Sequence, residues 1–416
     1  MKNAMSALIA CFLCFSHISQ ALSADEIIVP ASSDNEITVS RFQTSGKYLI
    51  VWLSPEYGFR KAHQNMAERL SQEGIEVWQA DIPESLFLTQ GSSTIKELNG
   101  QYVADIIEYA HKKSGKKILV TGDSYASISA LRGAHQWQQR KIKSPYLIGA
   151  ILFSPYTYAY IPPLGLAPEY LPIVSSSNIP IMIYQSKNSA IIGQFNGLLE
   201  KLSQQQNPVY TKFVPDIMSL FYQKTPTEAM IKAALDIPKN IKKIIAVLET
   251  HPLPATPVKL TMSKHSKSGI DIYLREFSGN NIPVTINLQT ATGKTFHKTD
   301  FRDKITVINF WATWCPPCVE EIPSLNRLSN KMKGSPFELI SINYAEDKQT
   351  ILDFMKKVNV EFPVLLDQNG EFAKKWKVIS YPSTFIINKQ GKIIYGVNSA
   401  IEWDNPELIS KIQSMF

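Results

Sequence analysis

A run of β-branched and aromatic residues, Lys304-Ile-Thr-Val-Ile-Asn-Phe-Trp311, leads almost directly into Cys315-Pro-Pro-Cys318. The run reads as a buried strand, and the residues after Cys315 read as a helix continuing through Leu328, because prolines are tolerated in a helix's first turn. A cysteine at a helix start and another one turn in can close a small disulfide ring. At such a junction the unpaired amides and the positive end of the helix dipole favour a thiolate at Cys315, which leaves Cys318 as the resolving thiol. Structural zinc wants four ligands, and the only other cysteines are Cys11 and Cys14 at the extreme N-terminus. A purely structural bridge gains little, since so short a loop removes little unfolded-state entropy.

The chain is 416 residues long, which predicts two domains, and a net charge of +7 over that length is mild. No dense Lys/Arg block with interleaved aromatics points to nucleic acid. Lys2, a short apolar run and the small residues of Ala21-Leu-Ser-Ala24 read as a secretory signal peptide over residues 1–24. Leu8-Ile-Ala-Cys11 has the look of a lipobox, so the alternative is a lipoprotein anchored through Cys11. With the leader removed, Cys315 and Cys318 are the only cysteines left, as expected of an exported protein that uses cysteine for redox chemistry.

Residues 25–250 alternate strand and helix, as an α/β domain with a mostly parallel sheet does. Strands are predicted over 47–53, 75–80, 117–121, 147–153, 179–184 and 209–213. Gly122-Asp-Ser124-Tyr-Ala126 makes a sharp turn between strand and helix. This pattern resembles the α/β-hydrolase fold and its nucleophile elbow, with Ala126 where that family has its second glycine. The resemblance implies a nucleophile at Ser124, and Asp216 and His251 complete a set in the right chain order. The acid and histidine loops of the family are nevertheless not matched, and Ser54-Pro-Glu-Tyr-Gly58 stands in place of its oxyanion motif. The expectation is therefore a degenerate hydrolase scaffold retained for binding.

The proline-dense His251-Pro-Leu-Pro-Ala-Thr-Pro257 reads as a spacer within a linker over residues 251–280. Residues 281–416 then give a mixed strand and helix order resembling a thioredoxin-like fold. More narrowly they resemble the TlpA/ResA/CcmG group of exported thioredoxins, on the strength of Trp311-Ala-Thr-Trp-Cys315-Pro-Pro-Cys318, Glu321-Ile-Pro323 and Tyr381-Pro-Ser-Thr-Phe-Ile-Ile-Asn388. The resemblance implies a cis-proline at Pro382, with the Tyr381 backbone beside it pairing an incoming peptide strand. It also implies that Glu321, one turn beyond Cys318, tunes the thiols and helps move protons. Trp314 is expected to cap the site with apolar surface.

Together these readings predict a periplasmic thiol:disulfide oxidoreductase that reduces client disulfides in the manner of cytochrome c maturation. Protein thiols are the partners, a membrane thiol reductant is the electron donor, and no cofactor is needed beyond the Cys315–Cys318 disulfide. The alternative is a serine hydrolase acting through Ser124 with an appended redox domain.

Overall fold

The computed structural model describes residues 24–140, 146–160, 162, 164, 166, 168–215, 217, 219–222, 227–254, 256–260 and 274–416. The leader with Cys11, and Asp216, lie outside the described residues.

Two eight-stranded sheets account for the described strands. The first contains β1 (Asp25–Ala31), β2 (Asn35–Phe42), β3 (Tyr48–Leu53), β4 (Ile75–Ala80), β5 (Lys117–Asp123), β6 (Leu147–Phe153), β7 (Ile181–Ser186) and β8 (Val209–Val214). Their order is β1-β2-β4-β3-β5-β6-β7-β8. From β4 to β8 all neighbours are parallel, while β1, β2 and β4 pair antiparallel. The inner strands β3, β4, β6 and β7 are buried along their whole length, as near-continuous apolar runs require when helices cover both faces. One face packs on helices Gln101–Ser114 and Ala126–Gln139, through residues such as Val103, Ile107 and Leu131. The other packs on helices Lys61–Gln72 and Glu228–Glu249, through Met66, Leu70, Ile237 and Ile241.

Among the elements here that the sequence reading did not single out are the β1–β2 hairpin and helix Glu228–Glu249. The β1–β2 hairpin adds an antiparallel edge, turning at Ser33 and Asp34 in left-handed backbone. Helix Glu228–Glu249 carries Pro238 in its interior, which breaks the helical signal because proline lacks an N–H. Thr227 Oγ1 caps this helix by accepting the Met230 N–H at 3.2 Å, and an apolar stripe from Met230 to Leu248 holds it on the sheet despite the lost bond.

The second sheet contains β9 (Arg275–Glu276), β10 (Ile286–Thr290), β11 (Thr295–Lys298), β12 (Ile305–Trp311), β13 (Phe337–Tyr344), β14 (Val364–Asp367), β15 (Ser383–Ile387) and β16 (Ile393–Val397), in the order β11-β10-β14-β13-β12-β15-β16-β9. β12 is central, parallel to β13 and antiparallel to β15. Helix Pro316–Lys331 follows β12 and packs on one face through Ile322, Leu325 and Leu328. Phe372 and Trp376 cover the other face against Phe310 and Phe385.

The stretch expected as a spacer is strapped to the first sheet's helices. His135 Nε2 lies 2.7 Å from the Val258 carbonyl, while Gln138 Nε2 donates to Pro254 O at 3.2 Å and Asn178 Nδ2 to Thr256 O at 2.9 Å. Strand pairing with the second sheet already begins at Arg275, inside the range read as linker.

Candidate active site

Cys315 is the N-cap of helix Pro316–Lys331, and its Sγ accepts the Cys318 N–H at 3.3 Å. The apolar β12 brings the chain to this point from the sheet's centre, and the two prolines that follow occupy the first turn, where their missing N–H groups cost nothing. Cys315 and Cys318 form a disulfide, with Cα atoms 5.3 Å apart. Cys318 is 0% exposed, whereas Cys315 is 5% exposed beside the exposed Pro316 and Pro317. An incoming sulfur therefore meets Cys315 first, and a thiolate formed there faces the helix's free amides.

Glu321 is 2% exposed. Its Oε1 accepts Asn309 Nδ2 at 2.8 Å, and its Oε2 accepts the Trp403 indole N–H at 3.1 Å. Burial pushes its carboxyl up from 4.5 to about 7, against the opposing pull of Trp403, Asn309 and the Ile401 backbone. A carboxyl half-ionised near neutrality, one turn from Cys318, is suited to exchanging protons with a dithiol. Asn309 also donates to Thr384 Oγ1 at 3.0 Å, which ties this carboxyl to β15.

The Tyr381–Pro382 peptide is cis. Tyr381 stacks on Tyr344 at 4.6 Å between ring centroids and meets Trp314 edge-on at 5.9 Å. Glu346, which the sequence reading did not single out, holds the loop before Cys315. It accepts the Thr313 N–H at 2.8 Å, Asn343 Nδ2 at 2.7 Å and the Thr313 hydroxyl. Burial raises its carboxyl despite these donors. Its one sequence signal is its position just past the apolar run that forms β13, and Ala345 before it lies in left-handed backbone.

In the first sheet, β3 leads to β4 on one side and β5 to β6 on the other, so the loops after β3 and β5 open a crevice between them. Those loops carry Glu56 and Ser124. Ser124 has φ +49°, and a Cβ on Gly122 would lie 2.5 Å from the Ala126 carbonyl oxygen, so only glycine permits this tight turn. Ser124 Oγ donates to Glu56 Oε1 at 3.2 Å. Burial pushes Glu56 up to about 7, with the Asp123 charge adding to the rise and backbone N–H groups and Ser124 opposing it. Asp123 Oδ1 takes His63 Nε2 at 3.2 Å, while the Arg60 N–H donates to His63 Nδ1 at 2.9 Å.

The structure does not bring His251 to Ser124. Its Nε2 pairs with Tyr210 OH at 2.7 Å, near the start of β8. Glu249, two residues earlier, accepts the Tyr48 hydroxyl at 2.6 Å and pairs with Lys117, at the starts of β3 and β5. Ser124 follows the far end of β5, which puts about 20 Å of strand between the two at 3.3 Å per residue. The Ser124, Asp216, His251 set is thus not assembled around His251, and Ser124 faces a carboxyl instead.

Residues 277–408, which hold most of the second sheet and its helices, match the Redoxin family. Thiol-disulfide oxidoreductase ResA of Bacillus thuringiensis subsp. konkukian is 39% identical over 102 residues, covering 24% of this chain and 59% of that protein. Its counterpart in Bacillus subtilis is 35% identical over 116 residues, covering 28% and 64%. The chain thus spans about three fifths of the length of these curated relatives. Among solved structures, StoA from Bacillus subtilis aligns at 23% identity with a TM-score of 0.28, over 32% of this chain and 98% of its own.

Proposed function

We propose that the protein is an exported thiol:disulfide oxidoreductase that works as a reductase of periplasmic client disulfides, of the kind cytochrome c maturation requires. The observation that carries this reading is the Cys315–Cys318 disulfide at a helix N-cap, with Cys315 the more exposed of the pair and Glu321 buried in the same helix. In the reduced enzyme the Cys315 thiolate attacks a client sulfur, forming a mixed disulfide and expelling the other client sulfur as a thiolate. Cys318 gives its proton to Glu321, three residues on in the same helix, and attacks Cys315 Sγ, breaking the mixed disulfide and expelling the client's second sulfur as a thiolate. The client takes up two protons and leaves as a dithiol, the enzyme, two electrons poorer, is left with the Cys315–Cys318 disulfide, and a membrane thiol reductant restores it. No further cofactor enters this cycle. Trp314, Tyr381 and the Pro382 segment are the residues that meet the client in this reading.

The N-terminal half is read as an α/β-hydrolase-like scaffold that binds the client and does not hydrolyse it. A serine hydroxyl needs a base, and the partner of Ser124 is Glu56, which also draws on the Tyr125 backbone where an oxyanion would be held. The test is trapping: Cys318→Ser should accumulate mixed disulfides with client proteins and Cys315→Ser should not. Equal trapping by both variants would refute the assignment of attacking and resolving thiols.

A further inference from the structure

The N-terminal half grips the segment that leads into the cis-proline. The Tyr156 hydroxyl donates to the Ile379 carbonyl at 2.6 Å. The Ile379 side chain is itself buried in an apolar cluster with Tyr158 and Ile191 of the first half. Tyr156 is held in turn by the elbow, since its N–H donates to the Ser124 carbonyl at 3.0 Å and its ring sits between Tyr125 at 4.8 Å and Tyr158 at 4.9 Å. Two further contacts clamp the same pair of halves. The Tyr344 hydroxyl donates to the Asn188 carbonyl, and Leu164 packs on Gly396, where a Cβ would approach its Cδ1 to 2.9 Å.

From this geometry we infer that Tyr156 is a positioning residue for disulfide exchange: it fixes residues 379–382, the edge on which an incoming client strand pairs, and the strained elbow at Ser124 survives as its bracket. The inference rests on the proposed reductase reading. It gives the retained elbow a use that needs neither base nor oxyanion hole, because the part of Ser124 that acts is its backbone carbonyl. It also makes the N-terminal half an internal support of the redox site as well as a binding surface.

The test is Tyr156→Phe in the full chain, which removes one hydroxyl and keeps the ring contacts. Losing a single net hydrogen bond of this kind should raise KM for insulin disulfides roughly fivefold and speed amide exchange at residues 379–384 to a similar degree. The rate of Cys315 alkylation as a function of pH should stay as in the wild type, a split that general unfolding would not produce. Gly396→Val, which pushes Leu164 away, should loosen the same amides. Unchanged exchange at residues 379–384 in Tyr156→Phe would overturn the inference. If the wild-type chain fails to reduce insulin, the reductase reading falls, while the exchange measurement still decides whether Tyr156 holds the segment.

Discussion

Replacing Glu321 by Gln changes how the oxidised protein's stability depends on pH. Glu321 is neutral in both folded and unfolded chains well below pH 4.5. Between pH 4.5 and about 7 the unfolded chain has released its proton while the folded chain keeps it, so stability falls as pH rises; above 7 the loss is complete. A displacement of that size corresponds to about 3 kcal/mol, most of it lost between pH 4.5 and about 7. Gln carries no such proton. It must, however, set its amide NH2 against either Asn309 Nδ2 or the Trp403 indole N–H, both of which donate to Glu321. That mismatch costs about 1–2 kcal/mol at every pH. Glu321→Gln should therefore be less stable than wild type at pH 5 and more stable at pH 8. Urea unfolding of the disulfide-intact chains, followed by tryptophan fluorescence across this range, reads the difference. A stability difference that does not vary with pH would refute the claim that burial holds Glu321 protonated.

Several other outcomes are expected. Trp403→Phe removes a donor to the ionised carboxyl, so the Glu321 titration, followed by carboxyl NMR, should move further upward. Glu346→Ala strips Thr313 and Asn343 of their acceptor and should destabilise the oxidised chain by about 2–3 kcal/mol in urea unfolding. A fluorophosphonate probe should leave Ser124 unlabelled; labelling abolished by Ser124→Ala would restore the hydrolase reading. Gly122→Ala should destabilise the first sheet strongly in thermal unfolding, because its Cβ has no room against Ala126.

What was legible in the sequence is what is local. The apolar run into Cys315-Pro-Pro-Cys318 specified a strand, a helix cap and a dithiol, and the spacing from Cys318 placed Glu321 on the next turn. What was not legible depends on long-range contacts. Trp403 reaches Glu321 from 82 positions away, and Glu346 reaches Thr313 from 33. Glu56 meets Ser124 only because β3 and β5 are neighbours in the sheet. The same order separates Ser124 from His251, which chain order alone had grouped together. Helix Glu228–Glu249 was hidden by Pro238, whose local penalty is outweighed by an apolar face that only the finished sheet reveals.

The central claim is that Cys315 and Cys318 carry dithiol chemistry, and insulin reduction tests it most directly. The pre-reduced full chain, mixed with insulin under a continuous supply of dithiothreitol, should accelerate precipitation of the insulin B chain, and Cys315→Ser should fall to the rate of dithiothreitol alone. A Cys315→Ser chain that matched the wild type would contradict it.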